Sequence, residues 1–265
     1  MRLLRSVSIV LAAGVVIAVP ASGQNSTDIP RLSNGKPNFS GIWQALTTAN
    51  WDIQTHGSSA GPPEFGALLS TPAGIGIVDG DEIPYLPAAA EQQRRNYENR
   101  WTEDPEIKCY MPGVPRANYM PYPFQIFQSE SHLLFAYQFA GAARIINLEE
   151  HVPSAIDSWM GVSNAHWEDD TLVVDVTGFN GQSWLDRAGN HASYALHVVE
   201  RFTFAGPDAI DYEARIEDPQ TFSRPWTMSF RLYRHAEPQA HLMEFKCVPF
   251  TEELLYGEFY RRPAQ

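Results

Sequence analysis

Basic residues are scarce in this chain. Nineteen Lys and Arg stand against 31 Asp and Glu, a formal net charge of −12 over 265 residues. Such a chain lacks the basic footprint that phosphate backbones need. It also lacks the polybasic patch that draws a protein to anionic lipid. Nucleic acid and membrane surfaces are therefore not expected partners, and a small neutral, cationic or apolar molecule is. The plainer use of the acidity is to keep a secreted chain soluble.

Cysteine is nearly absent too, with only Cys109 and Cys247. Neither has a neighbour at metal-ligand spacing, which argues against a zinc–thiolate site. The one Gly-x-Ser-x-Gly match, Gly57–Gly61 (GSSAG), lies in the Pro/Gly-rich arm without the strand-to-helix turn that the elbow needs, so an α/β-hydrolase is not expected. Gly-rich phosphate loops, dinucleotide fingerprints and His-Glu-x-x-His are missing as well. No organic cofactor is expected. A divalent metal held by His151, His191, His197 and Asp186 fits on composition alone, because imidazole and carboxylate suit zinc or iron.

Long apolar runs are missing except at the start. Met1–Arg5 carries two positive charges, Ser6–Val19 is apolar, and Pro20-Ala21-Ser22-Gly23 supplies small residues. This is the three-part secretory pattern, and its apolar run of about 14 residues is too short to span a bilayer. Cleavage after Gly23 makes Gln24 the new N-terminus and lowers the charge to about −14, because Arg2 and Arg5 leave. No cysteine follows the run to carry a lipid anchor. The expected compartment is the periplasm or beyond, with no membrane insertion after cleavage. There an even cysteine pair invites a disulfide between Cys109 and Cys247. Closing so long a loop is worth roughly 4–5 kcal/mol by the chain-entropy model. Two free buried thiols are the alternative.

What is present changes character along the chain. Residues 24–103 are rich in Pro, Gly, Ala and Ser and read as an irregular arm. The arm holds one short strand candidate, Asn38–Gln44, and one helix candidate, Ala88–Trp101, with Pro87 just before it at a helix-start position. Residues 104–265 read as the main domain. Beyond the Pro-rich stretch 109–123, strands follow one another at Gln125–Gln128, Leu133–Phe139, Ala142–Leu148, Ala165–Glu168, Thr171–Thr177, His197–Phe204, Ala209–Ile216 and from Trp226. His241–Val248 reads as a last strand. Tight turns and no alternating helices predict a mainly β fold: an antiparallel meander closed as a barrel or strongly bent.

Period two assigns faces. Glu200 falls in register with Val198, Phe202 and Phe204, and Arg144 with Ile146 and Leu148, so a carboxylate and a guanidinium both point inward. Buried charges demand partners. An Arg144–Glu200 ion pair and a substrate clamp are the two solutions. His151 follows Glu149-Glu150 at a strand end, a position suited to a barrel mouth. Asp186 and His191 lie five apart in the loop WLDRAGNH, a spacing that lets a carboxylate orient an imidazole as a general base requires. An ordinary turn-stabilising contact uses the same spacing. Trp159, Trp167 and Trp184 would wall a pocket.

Gly41-Ile42-Trp43 resembles the Gly-x-Trp of lipocalin-like barrels. The resemblance implies a tryptophan closing one barrel end under an arginine, Arg231 or Arg234. Separately, DPEIKCYMPGVPR (104–116), MPYPFQIFQ (120–128), SWMGVSNAHWEDDTLVVDVTGFN (158–180), SWLDRAGNHASYALHVVERF (183–202) and IEDPQTFSRPWTM (216–228) resemble a large group of exported bacterial proteins. That resemblance implies export and a single unit over 104–248, and it brings no activity with it. His151, Asp186, His191 and Glu200 follow the group's pattern better than His166 does.

The expectation is therefore an exported lyase or hydrolase acting on a small natural product or saccharide. In this reading His151 and His191 move protons, Asp186 orients His191, Arg144 binds an oxygen, and Glu200 holds Arg144 or serves as second acid. The alternatives are a lipocalin-like carrier and a metal-dependent hydrolase or oxygenase.

Overall fold

A computed structural model describes residues 28–61 and 70–249. The stretch 1–23 that reads as a leader and the C-terminal residues from 250 lie outside the described residues. Nine strands form a closed barrel in sequence order. They are β1 (Gly41–Ala45), β2 (Phe124–Gln128), β3 (His132–Tyr137), β4 (Ala143–Asn147), β5 (Val162–Glu168), β6 (Thr171–Thr177), β7 (His197–Gly206), β8 (Ala209–Glu217) and β9 (Trp226–Arg234). The main helix, α1, spans Pro87–Glu98, and a one-turn helix, α2, spans Arg100–Glu103. Pro87 occupies the first turn of α1, where its missing N–H costs nothing.

The barrel closes through β1 and β9, with Trp43 opposite Arg234 and Ala45 opposite Leu232. Hence β1 belongs to the barrel although it lies inside the stretch that reads as an arm. An odd number of strands cannot alternate direction all the way round a closed ring, so one neighbouring pair must be parallel. That pair is β4–β5, joined only at Ile146–Ser163 and Asn147–Asn164. A parallel step needs a long crossover, and residues 148–161 supply it.

Closure also corrects the expectation of a strand over His241–Val248. With β1 and β9 paired, no free edge remains for another strand, and 241–248 is irregular. It returns to the far end instead. There Phe245 packs on Tyr122 and Phe139 (ring centres 4.9 and 5.4 Å), and Cys247 forms a disulfide with Cys109. This disulfide supports an oxidising compartment. Among the described residues no helix is long and apolar enough to cross a membrane.

Register divides the loops between two ends. At one end lie the β2–β3, β5–β6 and β7–β8 turns. Trp43 plugs it with Phe39 and Phe204, whose rings stack 4.7 Å apart. The Arg234 guanidinium covers Trp43 at 4.2 Å and donates to Ser40 O at 2.8 Å. Arg234 therefore takes the role anticipated for an arginine, whereas Arg231 is on the surface and pairs with Asp211. A Cβ at residue 41, where φ is +145°, would meet the Arg234 guanidinium at 2.1 Å, which explains Gly41.

The other end, here called the collar, gathers the long β1–β2 connection (46–123), the β3–β4 link, the end of the crossover, the β6–β7 loop (178–196) and the β8–β9 loop. Val114–Met120 is buried across this mouth. Both ends of the lumen are thus stoppered by side chains.

Candidate functional site

The interior positions of β7 run Val198, Glu200, Phe202, those of β4 Arg144, Ile146, and all are buried. Arg144 and Glu200 meet in the lumen. Arg144 donates through Nη1 and Nη2 to the two Glu200 oxygens and through Nε to Ser163 Oγ at 2.7 Å. Glu200 Oε1 also accepts from Asn118 Nδ2 (2.8 Å) and Tyr212 OH (2.9 Å), while Tyr137 OH donates to Asn118 Oδ1 at 2.8 Å. Burial pushes the Tyr137 and Tyr212 hydroxyls up, so both stay protonated donors. Every oxygen of Glu200 is satisfied from within the chain.

Asn118 comes from the collar plug, whose base is a second buried charge cluster. Arg116 donates to both oxygens of Asp104 (3.0 and 3.1 Å), to Glu106 at 2.7 Å and to Asn50 at 2.9 Å. Arg187 adds two bonds to Glu106, at 2.7 and 2.8 Å, and lies 4.4 Å over Trp51. Burial alone would raise the Glu106 pKa, but Arg187 and Arg116 outweigh it and hold the carboxyl at about 2.

Asp186 is also fully buried, yet its oxygens do not reach the His191 ring. They accept from Ile53 N (2.9 Å), Asn190 N (3.1 Å) and Asn190 Nδ2 (2.6 Å). Burial, then the nearby Asp52 charge, push this carboxyl up to about 7. Asn190 Oδ1 accepts from Tyr85 OH at 3.0 Å, and Tyr85 OH in turn accepts from His191 N at 3.2 Å. The His191 ring stacks on Tyr85 (5.7 Å, 18°), burial lowers its pKa, and its Nδ1 makes no hydrogen bond of normal geometry. Asp186 thus orders the loop's backbone and Asn190. A carboxylate in a turn is captured by the nearest N–H groups, here those of Asn190 together with Ile53 N from the β1–β2 connection.

The remaining sequence candidates are dispersed. His151 is exposed on the crossover. His197 faces outward and pairs with Asp175 (2.6 Å). His166 pairs with Glu168 (3.3 Å) on the surface. Trp167 lies at the Trp43 end, stacked on Phe39 at 6.0 Å, away from the other two tryptophans. On β5 it shares the lumen side with Ser163 and Ala165, and the strand's direction decides which end it reaches. Among the described residues, no three His, Cys, Asp or Glu gather as a metal site.

Trp159 and Trp184 do meet. With Tyr110 they wall a cleft of about 410 Å³ on the collar. Tyr110 stacks on Trp159 (5.0 Å, 28°). The opposite wall is one face of α1, formed by Gln92, Arg95 and Asn96 at i, i+3 and i+4, continued by Asn99, which caps the helix. These side chains are held in a ladder. Arg95 Nη2 donates to Gln92 Oε1 (2.7 Å), Gln92 Nε2 to Asn96 Oδ1 (2.7 Å), and Asn96 Nδ2 to Gly189 O (3.1 Å). Gly189 lets the β6–β7 loop touch the helix. Its φ is +83°, and a Cβ there would come within 2.7 Å of Asn96 and Tyr97. The floor and rim carry Glu103, Lys108 and Gln182. The cleft residues Tyr110, Gln92, Asn96, Asn99 and Gln182 escape a search for acid–base groups. The signal for them is the polar stripe of α1 and the Tyr beside Cys109.

No protein-family model matches this chain, and no curated protein sequence matches it.

Proposed function

We propose that this protein is an exported barrel protein that binds a small organic molecule at its collar, in the cleft of Tyr110, Trp159, Trp184 and α1. One observation carries this reading. The cleft joins aromatic walls to oriented polar groups still open to solvent, whereas the lumen is filled and its Arg144–Glu200 network is already paired. Small-molecule sites combine apolar walls with a few fixed polar groups in this way. The leader pattern and the disulfide support export. Titrating a panel of amino acids, sugars and aromatic acids while following tryptophan fluorescence tests the reading. A saturable change that disappears in Trp159→Ala is expected. A panel that binds equally well to Trp159→Ala would overturn it.

A second reading, a lyase or hydrolase, is favoured by the chain Asp186–Asn190–Tyr85–His191. It offers a carboxyl near neutrality and an unprotonated imidazole that stacks on Tyr85 and whose backbone pairs with Trp184. Here His191 moves the proton and Asp186 is a positioning residue acting through Asn190 and Tyr85. Turnover of a bound ligand that survives His191→Ala in a folded protein would reject it.

A further inference from the structure

The reading above rests on a cleft, and its chemistry narrows the ligand. We infer that the collar cleft takes a neutral saccharide, its ring laid on Trp159 and its hydroxyls met by the amides of α1 and Gln182.

Charge is the first constraint. The cleft carries Arg95, Lys108 and Glu103, and each has an ion-pair partner. Lys108 pairs with Glu103 at 2.8 Å, and Arg95 pairs at 3.3 Å with Glu91, a carboxylate it shares with Arg94. A neutral ligand leaves both pairs intact, and the benzoate arm of the test below reads whether the second arginine on Glu91 admits an anion instead.

The second constraint is hydrogen-bond type. Gln92, Asn96, Asn99 and Gln182 each present a donor and an acceptor on one planar group. A sugar hydroxyl is likewise donor and acceptor at once, so amides match it without regard to its proton's direction. The ladder from Arg95 to Gly189 holds the buried Asn96 and orients the partly exposed Gln92 while using only one bond per Gln92 atom, leaving it a second N–H and a second lone pair. Asn99 donates to Arg95 O (2.8 Å) and keeps its carbonyl oxygen open. Such preorganisation reduces the entropy lost on binding.

The third constraint is shape. A pyranose ring has an apolar C–H face and a polar rim. An aromatic wall opposite a row of amides matches both at once. A lipid chain would leave the amides unpaired, at a cost for each polar group so desolvated. The volume, about 410 Å³, lies within the range of small-ligand pockets.

Titration of the whole disulfide-bonded protein with cellobiose, xylobiose and chitobiose, alongside 4-nitrophenol and benzoate, tests this. Tryptophan fluorescence and calorimetry are the readouts. At least one disaccharide should bind saturably. Trp159→Ala should weaken it tenfold or more, and Asn99→Ala a few-fold, both with unchanged circular dichroism. If 4-nitrophenol or benzoate binds through Trp159 and no disaccharide does, the saccharide class is wrong while a binding cleft stands. Disaccharide binding indifferent to both substitutions places the sugar elsewhere and overturns the inference. Binding of none of the five overturns it too; the wider panel then decides whether the cleft binds anything.

Discussion

The lumen of the barrel and the cleft on its collar use the same kinds of side chain in opposite ways. In the lumen, Arg144, Glu200, Asn118, Tyr137, Tyr212 and Ser163 bond to one another among fully buried aromatics. In the cleft, Gln92 and Asn99 are oriented by partners but keep part of their capacity toward water, Gln182 is exposed, and the rings of Tyr110 and Trp159 are only partly covered. A saturated network specifies a packing, whereas an oriented and unsaturated one recognises something. The charged residues most conspicuous in the sequence thus serve the architecture, and the quieter amides and aromatics face outward.

That contrast can be broken experimentally. The largest effect belongs to the disulfide, because its loop of 138 residues links the collar turn to the C-terminal segment. Cys109→Ser/Cys247→Ser should lose about 4–5 kcal/mol in denaturant unfolding. Acrylamide should then quench Trp159 more readily, since Tyr110 adjoins Cys109. Unchanged quenching would mean that the bond does not hold the cleft wall.

Next comes the lumen. Arg144→Met should cost about 3–5 kcal/mol, because Glu200 is left buried and charged. The pair Arg144→Met/Glu200→Leu should recover most of the loss. A single substitution as mild as the double one would show that the pair is not isolated from water.

Two of the buried carboxyls of the collar, Glu106 and Asp186, should act at opposite ends of the pH scale. Glu106 has a depressed pKa of about 2 against the ordinary 4.5, so its stabilisation is full above 4.5 and is lost as pH falls toward 2. The size is on the order of 3 kcal/mol. Asp186 is raised to about 7 from 3.8, so its contribution is full below 3.8 and is lost as pH rises through 7. Chemical denaturation across pH 2–8 should show both limbs. Glu106→Gln should flatten the acidic one, and Asp186→Asn the one between 4 and 7.

The smallest stability change belongs to the cleft. Trp159→Ala should alter unfolding by less than about 1 kcal/mol, as expected at a partly exposed site, yet abolish ligand-induced fluorescence change. A large loss of stability would make Trp159 a core residue and remove the contrast with the lumen.

Much of the barrel is legible in the residues. Alternation in Ile210, Tyr212, Ala214 and Ile216 sets the inward face of β8, and the same rule puts Glu200 and Arg144 inside, where their charges leave each other as the natural partner. Asp169-Asp170 marks the β5–β6 turn, with Asp169 at φ +51°, a conformation Asp tolerates. Less of the candidate site is legible. Trp159 and Trp184 belong to it and Trp167 does not, since Trp167 sits at the far end of its strand. Asp186 and His191 have a suggestive spacing, but the N–H groups of Asn190 and Ile53 reach the carboxylate first.

By itself, the sequence determined the acidic surface, the β pattern, the inward faces and the helix of the collar, because these follow from local periodicity and composition. Tertiary structure alone decided the parallel β4–β5 step, the plugging of the mouth by Val114–Met120 and the meeting of Tyr110 with Trp159 and Trp184. The physical reason is closure. A nine-membered ring forces one parallel neighbour, removes every free edge and sends the long connections to one end. There, segments far apart in the chain complete one another's hydrogen bonds, and local pattern holds no record of that pairing.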